Sequence, residues 1–194
     1  MDMEILYPKI RLALLPTMFA YAGLGGILAG LYGIVHDQVT YTISTEYFTH
    51  LKFEQFQYAD FGLPPRVLVA EIGFLASWWV GFLAAWFVAR LTVPAFPKAF
   101  AFRYTLRGFI IIFGVTLSAS SLGYLVGLCH SADYSAWQEY KSALRLADLP
   151  SFVRVAYIHN ASYLGGLVGL IVAIFYVRRL RQTDAPQPPG RVFG

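Results

Sequence analysis

The chain has 194 residues, of which 57% are hydrophobic and only 13% charged, and its mean hydropathy is +0.55. That balance excludes an ordinary water-soluble domain and points to a bilayer. The formal net charge of +4 follows from the asymmetry of membrane flanks described below, so no nucleic-acid partner is needed to explain it. The single cysteine, Cys129, excludes an intrachain disulfide and CxxC redox chemistry.

A helix needs about 20 apolar residues to cross a hydrocarbon core. Four runs meet that length, over residues 12–35, 67–89, 108–129 and 155–177. The expected fold is therefore all-α: an integral membrane four-helix bundle in one domain, residues 1–181. Residues 182–194 are polar and proline-rich, and read as a disordered cytoplasmic tail.

Each run carries small residues at intervals of four. These are Ala22, Gly26 and Gly30 with Ala29 and Gly33 in the first; Gly73, Ser77, Gly81, Ala85 and Ala89 in the second; Ala119, Gly123 and Gly127 in the third; and Ala161, Gly165, Gly169 and Ala173 in the fourth. In lipid, where apolar burial gives helices little reason to associate, such rows allow close backbone approach and dispersion contact.

Between the first two runs, VTYTIS (residues 39–44) alternates and is rich in β-branched residues, which reads as a short strand or extended segment. Ser44 and Thr45 are then candidate caps for a short interfacial helix over residues 46–58, with strand as the alternative for its second half. The proline-punctuated connector after residue 92 makes the second and third helices antiparallel neighbours. Residues 130–150 give a second interfacial helix, with Trp137, Tyr140, Leu144 and Ala147 on one face. Two short helices would thus roof the outer end.

Basic residues set the orientation. Lys9, Arg11, Arg90, Lys98, Arg103, Arg107, Arg178, Arg179 and Arg181 flank one side, whereas Asp37, Glu46, Glu54, Asp60, Glu71, Asp133, Glu139 and Asp148 outnumber the bases on the other. Both termini are accordingly expected in the cytoplasm of a bacterial inner membrane.

All four histidines fall on the outer side. His36 and His130 stand one residue beyond the first and third runs, while Glu71 and His159 lie four residues inside the second and fourth, about 6 Å below the surface. Each helix thereby contributes one ligand-capable side chain to a layer two turns thick, and a carboxylate inside a span is costly unless paired or put to use. His36, Glu71, His130 and His159 form the candidate metal site. Asp37, Tyr41, Asn160, Ser162 and Tyr163 are the candidate hydrogen-bonding residues around it, and Glu46 and His50 are further candidates in the outer connector.

Such a set could hold a divalent metal ion such as zinc or non-haem iron, for hydrolytic or redox work. Alternatively, a His36–His130 pair could hold haem. None of HExxH, paired ExxH, CxxCH, a Walker loop or GxSxG occurs. The competing expectations are a non-enzymatic accessory or assembly subunit of a larger membrane complex, and a small transporter acting as a homo-oligomer. The run HDQVTYTIS, followed by EYFT, KF and QF, resembles a stretch in bacterial multi-span membrane proteins of similar size; the resemblance implies an inner-membrane setting and carries no activity with it.

Overall fold

The structure, a computed structural model, describes residues 10–129 and 134–184. Four long helices dominate it: Leu15–Ile43, Pro65–Thr92, Lys98–Cys129 and Leu149–Asp184. Among the described residues there is no strand, so the class is all-α. All four helices are long and apolar enough to cross a membrane. Prolines open the first two, where the missing N–H falls among groups that a helix leaves unpaired in any case.

The bundle is built as two helical hairpins. The first and second long helices pack along their length, as do the third and fourth, while contacts between hairpins are sparser. The small-residue rows explain the pairing. A Cβ on Gly33 would collide with the Gly73 carbonyl oxygen and the Ser77 hydroxyl, and one on Gly81 would meet Ala29 and the Gly25 backbone. In the other hairpin, a Cβ on Gly123 would stand 2.6 Å from the Tyr157 carbonyl oxygen, and one on Gly165 would stand 2.6 Å from Ala119. Backbones approach this closely only because nothing larger than hydrogen or methyl lies between them.

The second and third helices meet in the half next to their connector. There Thr92 and Thr105 share a 2.7 Å hydroxyl bond beside a core of Met18, Tyr21, Ala89, Val93, Phe96, Ala101 and Tyr104. At the opposite end, residues 45–55 form a short helix whose middle, Phe48–Lys52, is a π turn. Ser44 caps it, its hydroxyl accepting from the Tyr47 N–H at 3.3 Å. A second short helix, Gln138–Leu144, follows a 3-10 turn at Ser135–Trp137.

These pieces are clamped together. Glu46 accepts from the N–H groups of Ala147 (2.9 Å) and Asp148 (2.8 Å) at the head of the fourth long helix, and His50 Nδ1 donates to the Leu144 carbonyl at 2.6 Å. Beneath them Tyr47, Phe48, Val69, Leu146, Phe152 and Val153 form a buried cluster. We call this the roofed end.

Three sequence expectations are corrected. Residues 39–43 are helical rather than a strand, so the first helix runs eight residues past residue 35. Their β-branched preference is overridden by tertiary contact: Arg66 grips Gln38 and Thr42 from the second helix, while Thr40 and Thr42 satisfy their hydroxyls on the carbonyls of His36 (3.1 Å) and Gln38 (3.0 Å). The strand alternative for the second half of residues 46–58 also gives way, to a helical turn at Phe53–Gln55 and a 3-10 turn at Gln57–Ala59. Finally, residues 182–184 continue the fourth helix; the expected tail beyond them lies outside the described residues.

Candidate metal centre

Where the two hairpins face each other below the roof, a polar cluster interrupts the apolar interior. The first helix contributes Tyr32, His36 and Asp37, the fourth contributes His159 and Ser162, and the third contributes Ser120. His159 and Ser162 are three residues apart and so share a face. The side chains of His36, Asp37 and His159 are only 12%, 6% and 5% exposed.

The hydrogen bonds form a chain. Ser120 reaches the Thr116 carbonyl at 2.9 Å, Tyr32 at 3.4 Å and Ser162 in a short contact. Ser162 reaches His36 Nε2 at 3.1 Å, and His36 Nδ1 lies 3.0 Å from the Asp37 carboxylate. Both ring nitrogens of His36 are thus engaged, one by a hydroxyl that can donate or accept and one by a carboxylate that can only accept.

His159 differs. Its Nε2 is buried and has no hydrogen-bond partner among the described residues, and it lies 3.9 Å from Asp37 Oδ1, too far for a hydrogen bond. Leaving such a group unsatisfied costs about 1–3 kcal/mol. The ring is held by stacking on Tyr47, with centroids 4.9 Å apart and planes 17° apart, and by edge contact with His36 at 4.8 Å. One ligand atom each from His36, Asp37 and His159 lies within 4.8 Å of the others, forming the one such group of three among the described residues.

The roof supplies two more members. Burial pushes the Tyr47 hydroxyl far above its ordinary pKa, with help from Tyr163 and Asp37, so it stays a neutral phenol. Lys52 is 9% exposed. Burial holds its ammonium below the ordinary lysine value, and the Asp37 charge opposes that shift in part.

Of the sequence candidates, the structure brings His36 and His159 together and draws Asp37 in as a third ligand-capable group. Ser162 bonds His36, and Tyr163 lies 6.3 Å from His159, ring to ring. Glu71 stands outside the group, its Oε2 buried and without a partner among the described residues. The reason is angular: Gly73 faces the first helix, and a residue two positions earlier is turned by about 200° around the axis. Tyr41 lies under the Arg66 guanidinium at 5.0 Å, Asn160 is exposed, and Glu46 and His50 are the roof clamps. His130 lies outside the described residues.

Sequence reasoning missed Tyr32, Ser120, Tyr47 and Lys52. A signal existed for the serines: Ser120 and Ser162 each stand three residues before a ridge glycine, Gly123 or Gly165, and so at the seam between helices. For Lys52 none existed, because only the π turn carries it back under the roof.

No protein-family model, no curated protein and no solved structure matches the chain.

Proposed function

We propose that this chain is an integral membrane protein that binds one divalent transition-metal ion through His36, Asp37 and His159. The membrane setting is supported by the four apolar helices and by the large side chains they turn outward, among them Leu122, Leu164 and Phe175, each at least 61% exposed. The charge asymmetry supports an orientation with the basic end, and both termini, in the cytoplasm of a bacterial inner membrane and the roofed end outside. Cys129, exposed at the roofed end of the third helix, should then react with a membrane-impermeant maleimide applied to intact spheroplasts. Labelling only after lysis would reverse the orientation.

The observation that carries the metal reading is the buried His159 Nε2, without a hydrogen-bond partner among the described residues, beside His36 and Asp37, with one ligand atom of each within 4.8 Å of the others. A cation there would satisfy His159 and neutralise Asp37. With His36 Nδ1 on the ion, its Nε2 would carry the proton and donate to Ser162, the outer hydrogen bond that metal-bound imidazoles ordinarily make. Two imidazoles and a carboxylate suit zinc or non-haem iron and leave coordination positions open; such an ion lowers the pKa of bound water toward about 7 and polarises oxygen ligands. The set supports hydrolytic or redox chemistry at the outer face. It does not suit a haem between His36 and His159, since those rings touch edge to face with no room for a macrocycle.

The test is metal content after purification in mild detergent from metal-replete cells. The parent should carry one equivalent of zinc or iron, and Asp37→Ala and His159→Ala, each short of one ligand, should purify with a small fraction of that while keeping their helix content. Metal-free parent protein from such cells would overturn the reading.

A second reading, a non-enzymatic subunit of a larger membrane complex, has one observation in its favour. Gly114 on the third helix has nothing within 4 Å of where its Cβ would be, and Ser118 and Ser121 beside it are exposed, so a small-residue face is left open. It predicts a fixed partner that co-purifies with the Asp37→Ala protein as well as with the parent.

A further inference from the structure

Lys52 is a charged group beside the cluster that metal binding leaves unused. Its side chain is about nine-tenths buried, at 9% exposure, yet it has neither a carboxylate in ion-pair range nor a hydrogen bond among the described residues. Its ammonium rests instead near the rings of Tyr47 (6.0 Å) and Phe56 (5.9 Å). Contacts of that kind are worth about 0.5–2 kcal/mol, little against the cost of desolvating a cation. Tyr47 is also the ring on which His159 stacks, so the ammonium and the ligand cluster share one wall.

The charge count then gives a direction. The Asp37 carboxylate and the Lys52 ammonium balance one another across the cluster. A divalent ion bound by Asp37 and two neutral imidazoles leaves two uncompensated positive charges in a largely buried region, a state that calls for an anion. We propose that the metal-loaded site takes an oxyanion, a carboxylate or phosphate group, with one oxygen at the ion's open position and another on the Lys52 ammonium. This rests on the metal reading above and names the ligand class of the same site. The oxyanion can come from solution or from the headgroup of an acidic lipid, since the cluster lies beside the outward-facing Tyr163, 57% exposed.

The test uses full-length protein loaded with Co²⁺, whose visible bands report its ligands. Inorganic phosphate should shift those bands saturably in the parent and in Lys52→Arg, and at least about tenfold more weakly in Lys52→Met, the loss expected for one charged hydrogen bond. The same shift in nanodiscs containing phosphatidylglycerol without added phosphate, absent in pure phosphatidylcholine, would assign the oxyanion to a lipid headgroup and support the proposal. Equal phosphate affinity in parent and Lys52→Met, or no band shift under any condition, would overturn it while leaving the metal site standing. Failure of the parent to bind Co²⁺ would overturn the metal reading and this inference with it.

Discussion

Tyr47 lies flat against His159, ring centroids 4.9 Å apart and planes 17° apart, so a residue of the roof holds an imidazole of the fourth helix in place. Tyr47 is 7% exposed, and its hydroxyl makes no hydrogen bond among the described residues. The ring is therefore what matters. Tyr47→Phe should remain within about 1 kcal/mol of the parent, whereas Tyr47→Ala should lose about 3–5 kcal/mol, measured by chemical unfolding in mild detergent. Equal stability of the two variants would mean the stack is incidental.

Lys52 should leave a signature in the pH dependence of stability. Burial lowers its pKa in the folded chain, so the folded state sheds the proton before the unfolded state does. Between the depressed value and the ordinary lysine value the unfolded chain binds more protons, and stability must rise with pH, by at most about 1.4 kcal/mol per unit for one proton. In metal-free protein, the parent should gain on Lys52→Met across that alkaline window, and Lys52→Met should be the more stable at neutral pH. Parallel curves for the two chains would show that the ammonium is solvated.

The hairpin seams make a paired prediction. Gly33→Val would drive a side chain into the Gly73 carbonyl and Ser77, and Gly123→Val would do the same against Tyr157 and Ala161. Each should cost about 1–3 kcal/mol or more in unfolding by sodium dodecyl sulfate. Gly114→Ala, with nothing within 4 Å, should stay within about 1 kcal/mol of the parent. Loss on the same scale from Gly114→Ala would point to a partner on that face.

Much of this frame was legible in the sequence. The rows containing Gly33, Gly73, Gly81, Gly123 and Gly165 mark the seams that pack in the structure, because spacing by four is itself a statement about one helix face. Helix ends were harder. Residues 39–43 look like a strand one by one, and it is a tertiary contact, the grip of Arg66 on Gln38 and Thr42, that favours helix there. The site suffered for the same reason: taking residue 35 as the end of the first helix turned His36 into a flanking residue and Asp37 into its accessory, whereas both stand on a continuing helix. Depth alone could not place Glu71, because a shared level says nothing about rotation around the axis.

Glu46 should prove a fastener rather than a ligand. Its carboxylate accepts the Ala147 and Asp148 N–H groups at 2.9 and 2.8 Å, just before the fourth long helix begins. Glu46→Ala should cost about 1–2 kcal/mol and speed hydrogen exchange at those two amides. Metal content should be unchanged. Loss of metal in Glu46→Ala with exchange unaltered would instead make it a ligand.

X-ray absorption at the metal edge of the purified, loaded protein bears most directly on the central claim. The account predicts an inner shell of nitrogen and oxygen, with outer scattering from two imidazoles that falls to one in His159→Gln and with an oxygen lost in Asp37→Ala. An all-oxygen shell, or a spectrum unchanged by both substitutions, would place the ion elsewhere and contradict it.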